Sequence, residues 1–168
     1  AHTGILTGAW MPLIESGVVN NRLKSRDAGV TVTTMAGGDR AFYDFLDGNK
    51  TIAMRACSYT HNPEVLASID QLCAINSVLQ IDLSGNANAE SVNGRIISTP
   101  GGLPDFASGA VSSEGGKSII AMRSSFKNGA ISNIVATLDD QSPVTLQGNQ
   151  IDYLVTEYGV AKISGVDN

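Results

Sequence analysis

Hydrophobic and polar positions along the chain switch between two periods. Gly29 to Met35 (GVTVTTM) is dominated by β-branched residues and predicts a strand. Asp39 then stands as an N-cap, Phe42, Phe45 and Leu46 share one helical face, and Asp47-Gly48-Asn49 ends that helix. Residues 51–56 are a short apolar run, read as another strand. Asn62-Pro63-Glu64 has the chemistry of a helix start: a capping Asn, Pro at the first helical position and an acid in the first turn. Val65, Leu66, Ile69 and Leu72 supply the apolar face of that helix. Residues 74–83 alternate, with Ile75, Leu79, Ile81 and Leu83 on one side and Asn76, Gln80 and Asp82 on the other. This predicts one strand with a polar face, closed by a turn at Ser84-Gly85-Asn86. Further strands are expected at 118–122, 131–135 and 151–156, and a helix near Leu103-Pro104-Asp105.

Strands and helices alternating in this order predict an α/β domain with an open, mostly parallel sheet flanked by helices. Ligands of such sheets sit on loops at the carboxyl ends of strands. The loops after residues 56, 98 and 156 are therefore the places to look for chemistry.

Composition narrows the function classes. The 168 residues are 42% hydrophobic and 16% charged, which excludes a disordered chain. A net charge of −5 with 5% aromatic residues argues against general nucleic-acid binding. No apolar run reaches the length of a membrane helix, and the basic-then-apolar signature of a secretion signal is missing at the start. Cys57 and Cys73 make neither a disulfide framework nor a zinc pair, so a reducing cytoplasm is the expected setting. The 18 glycines predict tight turns or backbone close to a ligand.

Three stretches carry candidate chemistry. In Thr99-Pro100-Gly101-Gly102-Leu103-Pro104-Asp105-Phe106, paired glycines between a strand and a helix can turn backbone N–H groups toward an anion or oxyanion. The plainer reading is a tight turn with Asp105 as a local cap. His61, between a strand end and a helix start, can act as a base or a hydrogen-bond donor, or is a surface residue beside the cap. Glu157 follows the 151–156 strand and precedes Tyr158-Gly159, a site-like position or an exposed turn. Glu15 reads as solvated helix surface. No serine sits in a GxSxG elbow, no GxGxxG fingerprint occurs, and His2, the other histidine, is too distant in sequence to support a metal site.

Seven segments in order carry a family resemblance: His2-Thr3-Gly4, Ile14 to Val19, Ser58-Tyr59-Thr60-His61-Asn62-Pro63, Ala74-Ile75-Asn76-Ser77, Asp82 to Asn88, Gly101 to Phe106 and Val155 to Ala161. Together they resemble the C-terminal domain of the acetyl-CoA hydrolase/transferase family, in the class I CoA-transferase superfamily. The resemblance implies a two-domain enzyme of NagB/RpiA/CoA-transferase type in which acyl-CoA binds between the domains. It implies that residues 1–168 are one such domain of a longer protein, inactive in isolation. Acyl-CoA and small carboxylates would be its partners, with the N-terminal domain of the same protein and a homo-oligomer, but no nucleic acid or membrane. Coenzyme A is implied as substrate, with no permanently bound cofactor and no metal.

Residue by residue, the resemblance assigns Gly101, Gly102, Asp105 and Phe106 to contact with CoA or the acyl group, and Asn76 and Asn86 to substrate binding. It makes Glu157 and His61 the catalytic candidates. In the well-understood transferases a glutamate following a Tyr-Thr or His-Ser pair attacks the thioester, and covalent exchange follows. This chain has Gly4 there, which favours hydrolysis by activated water, with His61 or Glu157 as base. Asn133 replaces a family Arg, while Lys162 and Ser164 replace an acid and an Arg. Arg123, Lys127 or helix N-termini are then the local groups left for phosphates. The alternatives are a CoA-binding domain without catalysis, or an acyl-carrier transferase subunit of citrate lyase or malonate decarboxylase type. The enzymatic reading expects His61, the 101–106 loop and Glu157 to line one pocket.

Overall fold

The structure is a computed structural model and describes residues 1–164. Its elements run β1 (His2–Thr7), α1 (Met11–Glu15), β2 (Thr31–Gly37), α2 (Arg40–Leu46), β3 (Ile52–Met54), α3 (Cys57–Thr60) and α4 (Pro63–Ala67). There follow β4 (Cys73–Asn76), β5 (Gln80–Asp82), β6 (Ala87–Asn88), β7 (Ser91–Val92), β8 (Arg95–Ile96), α5 (Leu103–Ser112) and β9 (Lys117–Ala121). The last are β10 (Ser125–Phe126), β11 (Ile131–Ser132), β12 (Ile134–Val135), β13 (Tyr153–Thr156) and β14 (Gly159–Lys162).

The architecture is α/β, and its longest pairing, β1 with β2, is parallel. β2 lies between β1 and β3, parallel to both. β4, β9 and β13 run parallel in a second sheet, with β14 returning antiparallel on β13. A third, small sheet joins β12 and β5 in parallel and adds β6 antiparallel. The antiparallel pairs are hairpin returns closed by two or four residues.

Burial explains these choices. β2 is flanked on both edges and covered, so Thr31, Val32 and Thr33 are all fully buried. The Thr31 hydroxyl accepts from Asn21 Nδ2 (2.9 Å) and Thr33 Oγ1 donates to Met35 O (2.7 Å), which satisfies the polar atoms that such burial would otherwise strand. Asp39 caps α2 by accepting from Phe42 N at 2.9 Å, and Asn62 caps α4 by accepting from Glu64 N and Val65 N. α5 is the shared wedge of two cores. Leu103 and Ala107 pack with Ile81, Ile120, Leu146, Ile151 and Leu154, while Phe106 and Ala110 pack with Leu66, Ile69, Leu72 and Ala74.

Two expected strands break. The alternation over 74–83 is divided into β4 and β5, which belong to different sheets. Ile81 is buried as the pattern expects, but Ile75 and Leu83 of the same expected face are exposed and Asp82 of the opposite face is buried. Asp82 turns inward because Oδ1 accepts from Ser84 N and Asn86 N, both at 2.9 Å, and holds the turn itself. The 131–135 segment likewise splits, β11 pairing with β10 and β12 with β5. Asp105 makes no cap: the N-cap position of α5 is Gly102, which leaves Asp105 in the first turn.

Candidate active site

A cleft of about 760 Å³ opens between the two parallel sheets. Strand β1 lines it with His2, Thr3, Gly4 and Ile5, β4 with Cys73 to Asn76, and α3 with Cys57; His61 and the loop into α5 supply Gly101, Gly102, Asp105 and Phe106. His61, Asn76 and the paired-glycine loop are therefore brought together as expected. Glu157 and Asn86 are not in this lining.

His61 follows α3 as its C-cap, and the Asn62 cap begins α4 at the next residue. Two helix ends thus fix the ring's backbone. The imidazole stands edge-on to Phe106, with centroids 5.3 Å apart and planes at 84°. Nδ1 lies 2.8 Å from Thr60 Oγ1 and 3.3 Å from Cys57 Sγ. Nε2 faces the backbone of β1 and the glycine loop. A Cβ built on Gly4 would fall 2.9 Å from Nε2, and one on Gly102 would fall 2.6 Å from it. Both positions need glycine because the ring occupies the side-chain space. Gly101 adopts φ +56°, a left-handed turn that glycine enters without strain. Among the described residues, neither Gly101 N–H nor Gly102 N–H finds an acceptor, so both remain available to an oxyanion or carboxylate.

The surroundings brace this arrangement. Tyr59 of α3 donates to Asp27 Oδ2 (2.8 Å) and accepts from Arg26 Nε (3.0 Å), and the Thr60 hydroxyl meets that of Thr34 on β2. His2 Nε2 donates to the Thr60 carbonyl at 3.0 Å. Burial, the largest influence, lowers the His2 pKa from 6.5; the Thr60 carbonyl opposes it and Lys24 adds to it. The neutral ring then turns a lone pair at Nδ1 into the interior, where no partner meets it; Asn76 Nδ2 is similarly unpartnered. Both residues line the cleft, but these two unpartnered atoms are themselves buried behind its wall. Among the described residues, no lysine or arginine lines it, and Asp105 is the one carboxylate that does. Such a wall suits an acyl group and its thioester better than phosphates.

Glu157 sits just past β13, two strands from Asn76 and three residues beyond its level in the register, which at ordinary strand spacing and rise separates them by roughly 14 Å. Oε2 accepts from Ser124 N (2.9 Å) and Oε1 from Ser124 Oγ (2.7 Å). Those bonds, the backbone one foremost, hold its pKa below the usual 4.5, with Arg123 assisting. It is an ionised clasp across β9 and β13. Asn86 donates its Nδ2 to Asp82 (3.4 Å) and lines a second, more polar cleft of about 840 Å³ with Ser84, Gln147, Asn149 and Lys162.

Sequence reasoning set His2 aside for its distance along the chain; β1 carries it to within 6.2 Å of Phe106, centroid to centroid, in the same cleft as His61. It also read Cys57 only as half of an improbable disulfide. The signal was the i, i+4 spacing from Cys57 to His61, which a single helical turn brings together. Among the described residues, no group of three or more His, Cys, Asp and Glu side chains is placed to hold a metal, and no helix is long and apolar enough to cross a membrane.

The model of the acetyl-CoA hydrolase/transferase C-terminal domain matches residues 38–168. The chain belongs to this family. The 4-hydroxybutyrate coenzyme A transferase of Clostridium kluyveri is 39% identical over 98% of this chain and 38% of its own length. The acetyl-CoA hydrolase of Saccharomyces cerevisiae is 28% identical, again over 98% of this chain. RipA from Yersinia pestis superimposes with a TM-score of 0.90 at 38% identity, covering 99% of this chain and 37% of that one. These matches include β1, which lies outside the family-model match. The fold is thus the CoA-transferase-like α/β fold expected from the sequence, and the chain spans about 38% of the length of the first curated relatives it matches.

Proposed function

We propose that the protein containing this chain breaks the thioester of a short acyl-CoA, acetyl-CoA among the candidates, releasing CoA to water or passing it to a carboxylate. The cleft carries this reading: His61, Asn76 and the Gly101–Gly102 loop line one largely apolar wall, and among the described residues the two glycine N–H groups have no acceptor. The relatives' names, CoA transferases and a hydrolase, support the same chemistry. His61 moves the proton, and the glycine amides receive the negative charge on the thioester oxygen. Phe106 and Ile5 keep the site dry. Asp105 lines this cleft, which supports its role toward substrate, whereas Asn86 lies outside it. Glu157 acts at a distance, fixing the loop that follows β9. A second wall and the phosphate contacts come from the rest of the protein, so the isolated domain is expected to be inactive.

The test is full-length protein with acetyl-, propionyl- and butyryl-CoA, with and without acetate or succinate, following CoA and acyl-CoA by chromatography. Turnover should occur, and His61→Gln should lower kcat/KM by about 100-fold or more. No release above the uncatalysed rate across the panel overturns the proposal, and binding without turnover would make this a CoA-holding module.

A further inference from the structure

Cys57 is the reactive side chain that the reaction above leaves unused. It opens α3, is exposed on the cleft wall, and lies with Sγ 3.3 Å from His61 Nδ1. The opposite nitrogen of the same ring presses on Gly4, the position from which no side chain can attack. Cys73 is also exposed and lines the same cleft, yet no hydrogen bond reaches its thiol among the described residues. Of two thiols in one site, one carries an imidazole.

We propose that Cys57 is the nucleophile that takes the acyl group from CoA, with His61 as its base. The inference rests on the thioester-cleaving reading and names the group that performs the attack. A thiol is suited to that attack because it is intrinsically more nucleophilic than a carboxylate or water, and because exchanging one thioester for another keeps the bond energies nearly balanced.

In the first step His61 Nδ1 takes the thiol proton while Sγ bonds to the carbonyl carbon. The bond from that carbon to the CoA sulfur then breaks, and His61 returns the proton to the departing sulfur. The products are an acyl-cysteine and CoA. In the second step water adds to the acyl carbon and gives a proton to His61. The carbon–Sγ bond breaks, the cysteine sulfur recovers the proton, and the carboxylic acid leaves. The sum is acyl-CoA plus water giving acid plus CoA, with no oxidant or reductant. Thr60 Oγ1, 2.8 Å from Nδ1, can accept from the N–H formed in each step while its own hydrogen turns to the Thr34 hydroxyl.

Two measurements on full-length protein test this. Acid-quenched turnover of acetyl-CoA, followed by peptide mass spectrometry, should find a hydroxylamine-labile acetyl group on the peptide carrying Cys57. Cys57→Ala and Cys57→Ser should each lower kcat by about 100-fold or more. Separately, and with no substrate needed, iodoacetamide at neutral pH should label Cys57 about tenfold faster than Cys73, and His61→Gln should remove that advantage. If wild-type protein releases CoA and Cys57→Ala does so at the same rate with no acetyl-cysteine, water attacks directly and the inference is overturned while the function stands. If wild type releases no CoA, the functional reading fails, and the labelling ratio alone decides whether the thiol–imidazole pair exists. Equal labelling of the two cysteines overturns it.

Discussion

The Nε2 atom of His61 lies 2.9 Å from the point where a Cβ on Gly4 would stand. The ring has taken the room that a side chain on β1 would fill. Gly4→Ala should therefore displace the imidazole and lower kcat/KM by about tenfold or more, without unfolding the protein. Gly102→Ala makes the same demand from the other side of the ring, and its φ of −84° leaves the backbone unstrained by a Cβ. Steady-state kinetics together with thermal melts check both: a fall in Tm as large as the fall in activity would mean that the glycines serve folding instead.

The contact between α4 and α5 has no slack. A Cβ on Gly109 would fall 2.4 Å from Leu66 Cβ, and Leu66 is fully buried. Gly109→Ala should destabilise the protein by about 1–3 kcal/mol through overpacking. Leu66→Ala should cost about 2–5 kcal/mol through the cavity it leaves. Chemical denaturation measures each, and the double variant should cost less than the sum because the new methyl fills part of the void.

Asn62 joins stability to the site. Its side chain accepts from Glu64 N (2.8 Å) and Val65 N (3.2 Å), one residue after the proposed base. Asn62→Ala should cost about 1 kcal/mol, and Asn62→Asp should restore most of it. A loss of kcat at saturating acyl-CoA in the alanine variant alone would place the cap among the groups that aim His61.

His2 makes stability depend on pH. Burial lowers its folded pKa below the 6.5 of an unfolded imidazole. As pH falls through 6.5 the unfolded chain binds a proton that the folded chain resists, so stability drops until the lowered folded value is reached. The stabilisation is complete above the unfolded value and is lost on acidification. Melting curves from about pH 7.5 down to about pH 5.5 should fall more steeply for wild type than for His2→Gln. Parallel curves would mean that His2 is equally protonated in both states.

Local chemistry was readable wherever a few adjacent residues decide the outcome. Asp39 and Asn62 cap as their neighbours require, and Val65 and Leu66 are buried on α4; Ile69 and Leu72, expected on the same helix, are buried too but lie past its end at Ala67. The parallel β2, rich in Thr and Val, was legible for the same reason. The alternation over 74–83 misled because periodicity does not record which sheet a strand joins: Asp82 faces inward to hold its own turn while Ile75 lies exposed on an edge strand. The paired glycines and His61 were visible as motifs, but their mutual fit was not, since β1 and α5 meet only in three dimensions. Glu157 shows the converse. Its place at a strand end was read correctly, and its engagement by Ser124 depends on a partner far along the chain.

The cleft takes one side from β1, near residue 4, and another from the loop near residue 102. A ribosome therefore releases the future base, with the Asn62 cap of α4 beside it, well before the loop glycines on its other side have been made. Until α5 has emerged, the imidazole is met on the β1 and α3 side alone, by Gly4, Thr60 and Cys57, and its other side stands uncovered. Competence toward a thioester should thus arrive abruptly, with the synthesis of a single helix, rather than grow as the chain lengthens.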